Sequence, residues 1–126
     1  MAHQTVRTWD GELVPSAAGR TDRPSPACPV ETALAAIAGR WTTLVLRDLM
    51  DGPRSYTELR AALPSISDKV LTERLAALCG RGLVSRERRP AFPARVTYDL
   101  TDAGRRLRPL LIELYRTGER LLSPDE

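Results

Sequence analysis

Apolar residues recur along this chain at spacings that mark out short helices, broken once by an alternating segment. From Cys28-Pro29, the residues Val30, Leu34, Ile37 and Ala38 follow helical spacing, with Pro29 well placed at the first helical position and Gly39 ending the run. Trp41, Leu44, Val45 and Leu49 form a second stripe, which Gly52-Pro53 stops. Ser55 with Glu58 three residues on reads as a capping box for a short helix carrying Tyr56, Leu59 and Leu63 on one face. Pro64 blocks its continuation. Ser65-Ile66 is then a turn and Ser67 an N-cap, and the next helix places Leu71, Leu75 and Leu78 on one face before Gly82 closes it.

The period then changes. Leu83 to Arg88 reads as a strand, and Arg89-Pro90-Ala91-Phe92-Pro93-Ala94 is a loop too rich in proline to pair regularly. Val96, Tyr98 and Leu100 alternate with Arg95, Thr97 and Asp99 as a second strand. Thr101 caps a last helix in which Leu107, Leu110, Leu111, Leu114, Tyr115, Leu121 and Leu122 keep helical spacing. Pro109 predicts a bend there or a helix starting afresh.

This order of helix, helix, short helix, turn, helix, hairpin and helix predicts a mainly α fold with a small β-wing, a winged helix-turn-helix. In such a fold the N-terminal half of the helix from Ser67 enters the major groove of double-stranded DNA. Ser67, Lys69, Thr72 and Arg74 are the candidate contacts to phosphates or base edges. Arg88, Arg89 and Arg95 lie on or beside the wing, where they can follow the backbone or enter the minor groove. The plainer reading of each is a solvated surface residue, and for Arg74 a pairing with an acid.

Composition narrows the classes. At 126 residues the chain suits one compact body, and a net charge of only +3 argues weakly for nucleic acid. Placement says more. Up to Ala27, Arg7, Arg20 and Arg23 offset Asp10, Glu12 and Asp22, whereas Arg81, Arg86, Arg88, Arg89, Arg95, Arg105, Arg106 and Arg108 crowd the second half. Residues 1–27 are rich in Pro, Gly and Ser and read as a flexible or docking arm, with Trp9 and Leu13-Val14 as its anchors. Residues 28–126 are expected to form a winged helix-turn-helix domain for DNA binding and dimerisation.

No apolar run is long enough for a signal segment or a membrane span, so the expectation is a cytoplasmic protein without a membrane partner. Cys28 and Cys79 make no disulfide framework, and the sole histidine, His3, sits in the arm, so neither a metal site nor a cofactor is expected. There is no carboxylate pair, Ser/His/Asp set or phosphate loop, which argues against an enzyme.

Several segments together resemble one family. They are Cys28-Pro-Val-Glu, Gly39-Arg-Trp-Thr-Thr-Leu-Val-Leu-Arg47, Tyr56-Thr-Glu-Leu-Arg60, Ile66-Ser-Asp-Lys-Val-Leu-Thr-Glu-Arg-Leu75, Gly82-Leu-Val-Ser-Arg86 and Arg95-Val-Thr-Tyr-Asp-Leu-Thr101. In this order, over roughly residues 28–122, they are similar to the HxlR-type bacterial transcription regulators. The resemblance implies a dimeric winged-helix regulator that pairs through its first and last helices on a two-fold related operator, with the helix from Ser67 as the reader. It also implies, for some members, sensing of electrophiles or oxidants at the position of Cys28. The stretch before Cys28 is longer than the family's, and Asp68 stands where proline is common, a position in the first turn of a helix where an acid is tolerated.

The dimer has a warrant of its own, because the stripe from Leu107 to Leu122 is wide for a helix covering one side of a small core. Cys28 sits just before a helix N-terminus, which favours a thiolate; the alternative is a small N-capping or partly buried residue with no redox role. Cys79, on the shoulder of the Leu71-Leu75-Leu78 face, reads as a core-edge residue. A pocket between Trp41 and Tyr115 is a candidate site for a small effector. The second functional class, a winged helix that binds protein or ligand without reading DNA, is opposed by the arginine-rich wing.

Overall fold

The structure is a computed structural model that describes residues 7–123. His3, Asp125 and Glu126 lie outside the described residues. The chain forms two compact units, Met1–Ile37 and Ala38–Glu126. That division falls later than the boundary expected after Ala27, so the first helix goes with the arm.

In the first unit, Asp10 accepts the backbone N–H of Glu12 at 2.8 Å and opens a turn closed by Val14 N–H on the Asp10 carbonyl. The Arg7 guanidinium lies 3.8 Å over the Trp9 ring. Leu13 is exposed. A single 3-10 turn at Ala17–Gly19 precedes helix α1, Pro29–Ala36. Pro29 starts α1 because its missing N–H is one the first turn leaves unpaired in any case. Cys28 is the N-cap and is buried, whereas Val30 and Leu34 of α1 are exposed.

The second unit holds α2 (Thr42–Leu49), β1 (Arg54–Ser55), α3 (Tyr56–Ala62), α4 (Asp68–Gly80), β2 (Val84–Arg89), β3 (Arg95–Leu100), α5 (Asp102–Arg105) and α6 (Arg108–Leu122). Its core is made where Val45, Leu46 and Leu49 of α2, Leu59 of α3 and Leu71, Leu75 and Leu78 of α4 meet. Leu63, Ile66, Leu83, Val84, Tyr98 and Leu100 complete it. Thr42, the one buried polar residue among those described, donates its hydroxyl to the Ala38 carbonyl at 2.9 Å, so its burial leaves no unmet donor.

The sheet has three antiparallel strands in the order β1-β3-β2. β2 and β3 form the expected hairpin, in register from Val84 opposite Leu100 to Arg89 opposite Arg95. β1 went unforeseen: Arg54 and Ser55 pair with Tyr98 and Thr97. Arg54 and the helix cap Ser55, directly after Gly52-Pro53, are too few to carry a periodic signal, and only the arrival of β3 beside them makes a strand.

The Pro109 expectation resolves as a fresh start. α5 ends at Arg105, and α6 begins at Arg108 with Pro109 in its first turn. Thr101 joins this end of the chain to the wing base. Its Oγ1 accepts the Gly104 N–H at 3.1 Å and donates to the Gly82 carbonyl at 2.7 Å, and its own N–H reaches the Leu83 carbonyl at 3.0 Å. Gly104 fits this corner because a Cβ there would fall 2.2 Å from the Leu83 carbonyl oxygen, which belongs to backbone and cannot swing aside. Gly104→Ala is therefore expected to lower stability by about 1–3 kcal/mol, as overpacking does. Urea unfolding followed by circular dichroism measures it.

Candidate nucleic-acid interface

The helix-turn-helix is set by caps at both of its helices. Ser55 Oγ accepts the Glu58 N–H at 3.1 Å and the Glu58 carboxylate accepts the Ser55 N–H at 3.0 Å, a complete capping box on α3. Hydrogen bonding to the backbone and side chain of Ser55 holds the Glu58 carboxyl below its ordinary range; loss of surrounding water opposes this, and the guanidinium groups of Arg54 and Arg95 add weakly to it. Glu58 thus feels charges on the sheet as well as the hydrogen bonds of its own helix cap. On α4, Ser67 Oγ accepts the Val70 N–H at 3.1 Å. Its acceptor is spent on the cap, and its O–H remains available as a donor to a phosphate.

With Leu71, Leu75 and Leu78 inward, helical geometry turns Lys69, Thr72 and Glu73 outward, and all three are exposed. Arg74 is placed differently from the outward position expected for it. It is half-buried, and its Nε donates to the Arg40 carbonyl at 2.7 Å, beside Gly39 and the turn that precedes α2. Nor does it pair with an acid there; the turn presents a carbonyl, an acceptor invisible in side-chain patterning. Arg74 braces the middle of α4 against the turn before α2.

A polar clamp that the sequence reading missed holds the N-terminus of α4. Asp68 Oδ1 accepts from the Tyr56 hydroxyl at 2.8 Å and from Arg60 Nε at 2.8 Å. Tyr56 Oη also lies 3.5 Å from Thr72 Oγ1, and Arg60 donates to the Ile66 carbonyl in the turn. Tyr56 and Arg60 thus reach across from α3 to the first turn of α4. An acid in the first turn of α4 was the available signal, since the Asp68 carboxylate can accept from donors such as Tyr56 and Arg60.

On the wing, Arg88, Arg89 and Arg95 are all exposed. Directly opposed residues in an antiparallel pair share a face. Arg89 and Arg95 therefore stand together on one face with Glu87 and Thr97, while Arg88 lies with Val96 on the other. Arg89 approaches Glu87 at 3.8 Å, an exposed pair of little energetic weight. Farther along, Arg105 is committed to Asp99 at 3.3 Å and Asp102 at 3.4 Å.

Away from this surface, an open groove of about 840 Å³ runs between α2 and α6. Leu44, Met50, Leu111, Ile112 and Tyr115 are among its lining, together with Arg47 and Arg108. The expected pairing of Tyr115 with Trp41 is corrected here, because Trp41 is not part of this lining. Trp41 is the N-cap of α2 with a left-handed backbone, φ 78°, so it precedes the helical stripe instead of heading it. Cys28 and Cys79 are free thiols. Burial pushes the Cys79 thiol up, with Arg86 opposing. Among the described residues, no group of His, Cys, Asp or Glu is gathered to hold a metal, and no helix is long and apolar enough to cross a membrane.

Comparison with known proteins places this geometry. Residues 36–126 match the HxlR-like helix-turn-helix family. The uncharacterized HTH-type transcriptional regulator YvaP of Bacillus subtilis is 38% identical over 102 residues, covering 80% of this chain and 94% of YvaP. Among solved structures, the redox regulator HypR in its oxidized form is 37% identical with a TM-score of 0.67, over 73% of this chain and 95% of HypR. The reduced form of the transcriptional regulator YodB from B. subtilis is 33% identical with a TM-score of 0.70, over 79% of this chain and 98% of YodB.

The clamp predicts a measurable coupling. Tyr56→Phe and Asp68→Asn, combined in a double-mutant cycle of unfolding free energies, are expected to couple by about 0.5–1 kcal/mol, the range for a partly exposed polar contact. Additive effects would show that the clamp does not hold α3 to α4.

Proposed function

Because the chain belongs to the HxlR-like helix-turn-helix family of transcriptional regulators, we propose that it acts as a homodimer on an inverted-repeat operator, one α4 in each of two successive major grooves. The observation that carries this reading is the orientation of α4. Its leucine stripe is fully buried, which turns Lys69 and Thr72 outward from an N-terminus held by Ser67 and Asp68. In this reading Lys69 contacts phosphate or guanine, Thr72 reaches a base edge or phosphate, and the Ser67 hydroxyl donates to a phosphate. Arg88, Arg89 and Arg95 follow the backbone or enter the adjoining minor groove. Arg74 acts through α4, as its brace.

The dimer is supported by surfaces that the single chain leaves open. α6 has fifteen residues and none of them is buried, with Leu114, Tyr115, Leu121 and Leu122 exposed. A helix of that length draws most of its stability from packing an apolar face. α1 likewise exposes Val30 and Leu34. Pairing through the first and last helices covers both faces and sets two readers about 34 Å apart, one turn of DNA. The groove beside Tyr115 is the candidate place for a small effector.

Cys28 is the proposed point of redox or electrophile input, since the solved structures similar to this chain include a redox regulator, HypR, in its oxidized form. Oxidation by diamide joins the Cys28 thiols of two copies in a disulfide, with both hydrogens passing to diamide. An N-capping cysteine at the start of α1 stands on the helix proposed to pair, so the bond and the dimer geometry are linked.

One titration tests these statements together: binding to the duplex upstream of its own gene, against a random duplex of equal length, across salt concentrations. Lys69→Ala and Arg95→Ala are each expected to weaken binding and reduce the salt slope by about one, with the fold intact. Diamide is expected to change binding of the unmodified protein and leave Cys28→Ser unaffected. Equal affinity for both duplexes would overturn sequence-specific binding, and an unchanged diamide response in Cys28→Ser would remove Cys28 from the account.

A further inference from the structure

The tip of the wing has a composition that neither the fold nor the phosphate contacts explain. From Arg88 to Arg95 there are three arginines and no acid. The loop between them, Pro90-Ala91-Phe92-Pro93-Ala94, has no polar side chain at all. Surface loops ordinarily present polar groups to water. Here the chain's only phenylalanine stands at 105% relative exposure, touching nothing that would stabilise the fold. Its stem carries Arg89 directly opposite Arg95, so two cations flank the base of an apolar point.

That pairing of features has a complement. The DNA minor groove is lined by phosphates on both edges and stacked bases within, and proteins that enter it pair Arg or Lys with apolar wedges such as Phe that part a base step and kink the duplex. The wing belongs to the same unit as α4, and its strand β3 pairs through Thr97 with Ser55, the N-cap of α3 in the helix-turn-helix, two residues from Arg95 at the loop end of the hairpin. A hairpin this short, anchored beside the helix-turn-helix, suits a tip that reaches the groove next to the one assigned to α4. A lipid surface or a second protein would also accept an exposed ring, but neither explains why the ring is carried on the element that accompanies a DNA reader.

We propose that Phe92 is an apolar wedge that enters the minor groove beside the α4 site and partly unstacks a base step, bending the operator. The proposal rests on the wing reading given under the proposed function. It adds to that reading a residue that carries no charge and acts on DNA shape. Flexible pyrimidine–purine steps at the wing position are then favoured, because they unstack most easily.

The test uses the full chain and the upstream duplex carrying a donor and an acceptor dye at its ends. The unmodified protein is expected to bring the ends together through a bend of about 20–90°. Phe92→Ala is expected to lose most of that energy-transfer change and to bind about ten-fold more weakly, whereas Phe92→Leu, which keeps an apolar wedge, retains both. The salt slope stays as in the unmodified protein for both variants, since no phosphate contact is removed. A Phe92→Ala protein that binds and bends as the unmodified one does, while Arg95→Ala still lowers the salt slope, overturns the wedge and leaves the wing reading standing. If Arg95→Ala also changes nothing, the wing reading fails and the wedge with it.

Discussion

The burial of one leucine stripe governs everything else in the winged body. Leu71, Leu75 and Leu78 are at most 1% exposed, packed into a core shared with Leu46, Leu49 and Leu59. Truncating any such residue costs about 2–5 kcal/mol, against a total stability of about 5–15 kcal/mol for a typical domain. A helix turns about 100° per residue, so α4 cannot rotate by one position without bringing polar side chains into that core. Non-directional burial thereby sets a directional property, the set of side chains offered to DNA.

Smaller interactions refine what the leucines impose. Ser67 fixes where α4 begins, Tyr56 and Arg60 grip its first turn through Asp68, and Arg74 ties its middle to the Arg40 carbonyl. Each is worth far less than a buried leucine, and none of them chooses the face. They restrict the tilt and the fraying of α4, the helix proposed to enter the major groove. At the other end of the motif, Gly104 and Thr101 seat the start of the last helical segments against the base of the wing. Reader and wing are positioned from one core.

Local signals were legible in the sequence, and contacts between distant segments were not. Caps at Ser55, Ser67 and Thr101, the stop at Pro64 and the restart at Pro109 each depend on a few adjacent residues, and the structure has all of them. The period of Leu71, Leu75 and Leu78 sufficed to orient α4. β1 is too short to have a period and exists through its partner β3. Arg74 and Asp68 look like surface charges until the Arg40 carbonyl and the Tyr56 hydroxyl are brought to them across the fold. Trp41 fits an apolar stripe in one dimension, yet its left-handed backbone puts it ahead of the helix and away from the Tyr115 groove. Of the candidate site, the outward position of Lys69 and Thr72 and the cationic wing could be read directly. The bracing that steadies them could not.

One winged body reads few base pairs, and the unburied α6 stripe is the surface through which the proposed dimer would join two. The central claim is that two copies present two α4 helices to one face of the duplex. Hydroxyl-radical footprinting of the bound upstream duplex tests this most directly. The account predicts two protected patches centred about one helical turn apart, related by a two-fold axis, with further protection where the wings meet the flanking minor grooves. A single asymmetric patch, or uniform protection along the fragment, would contradict it.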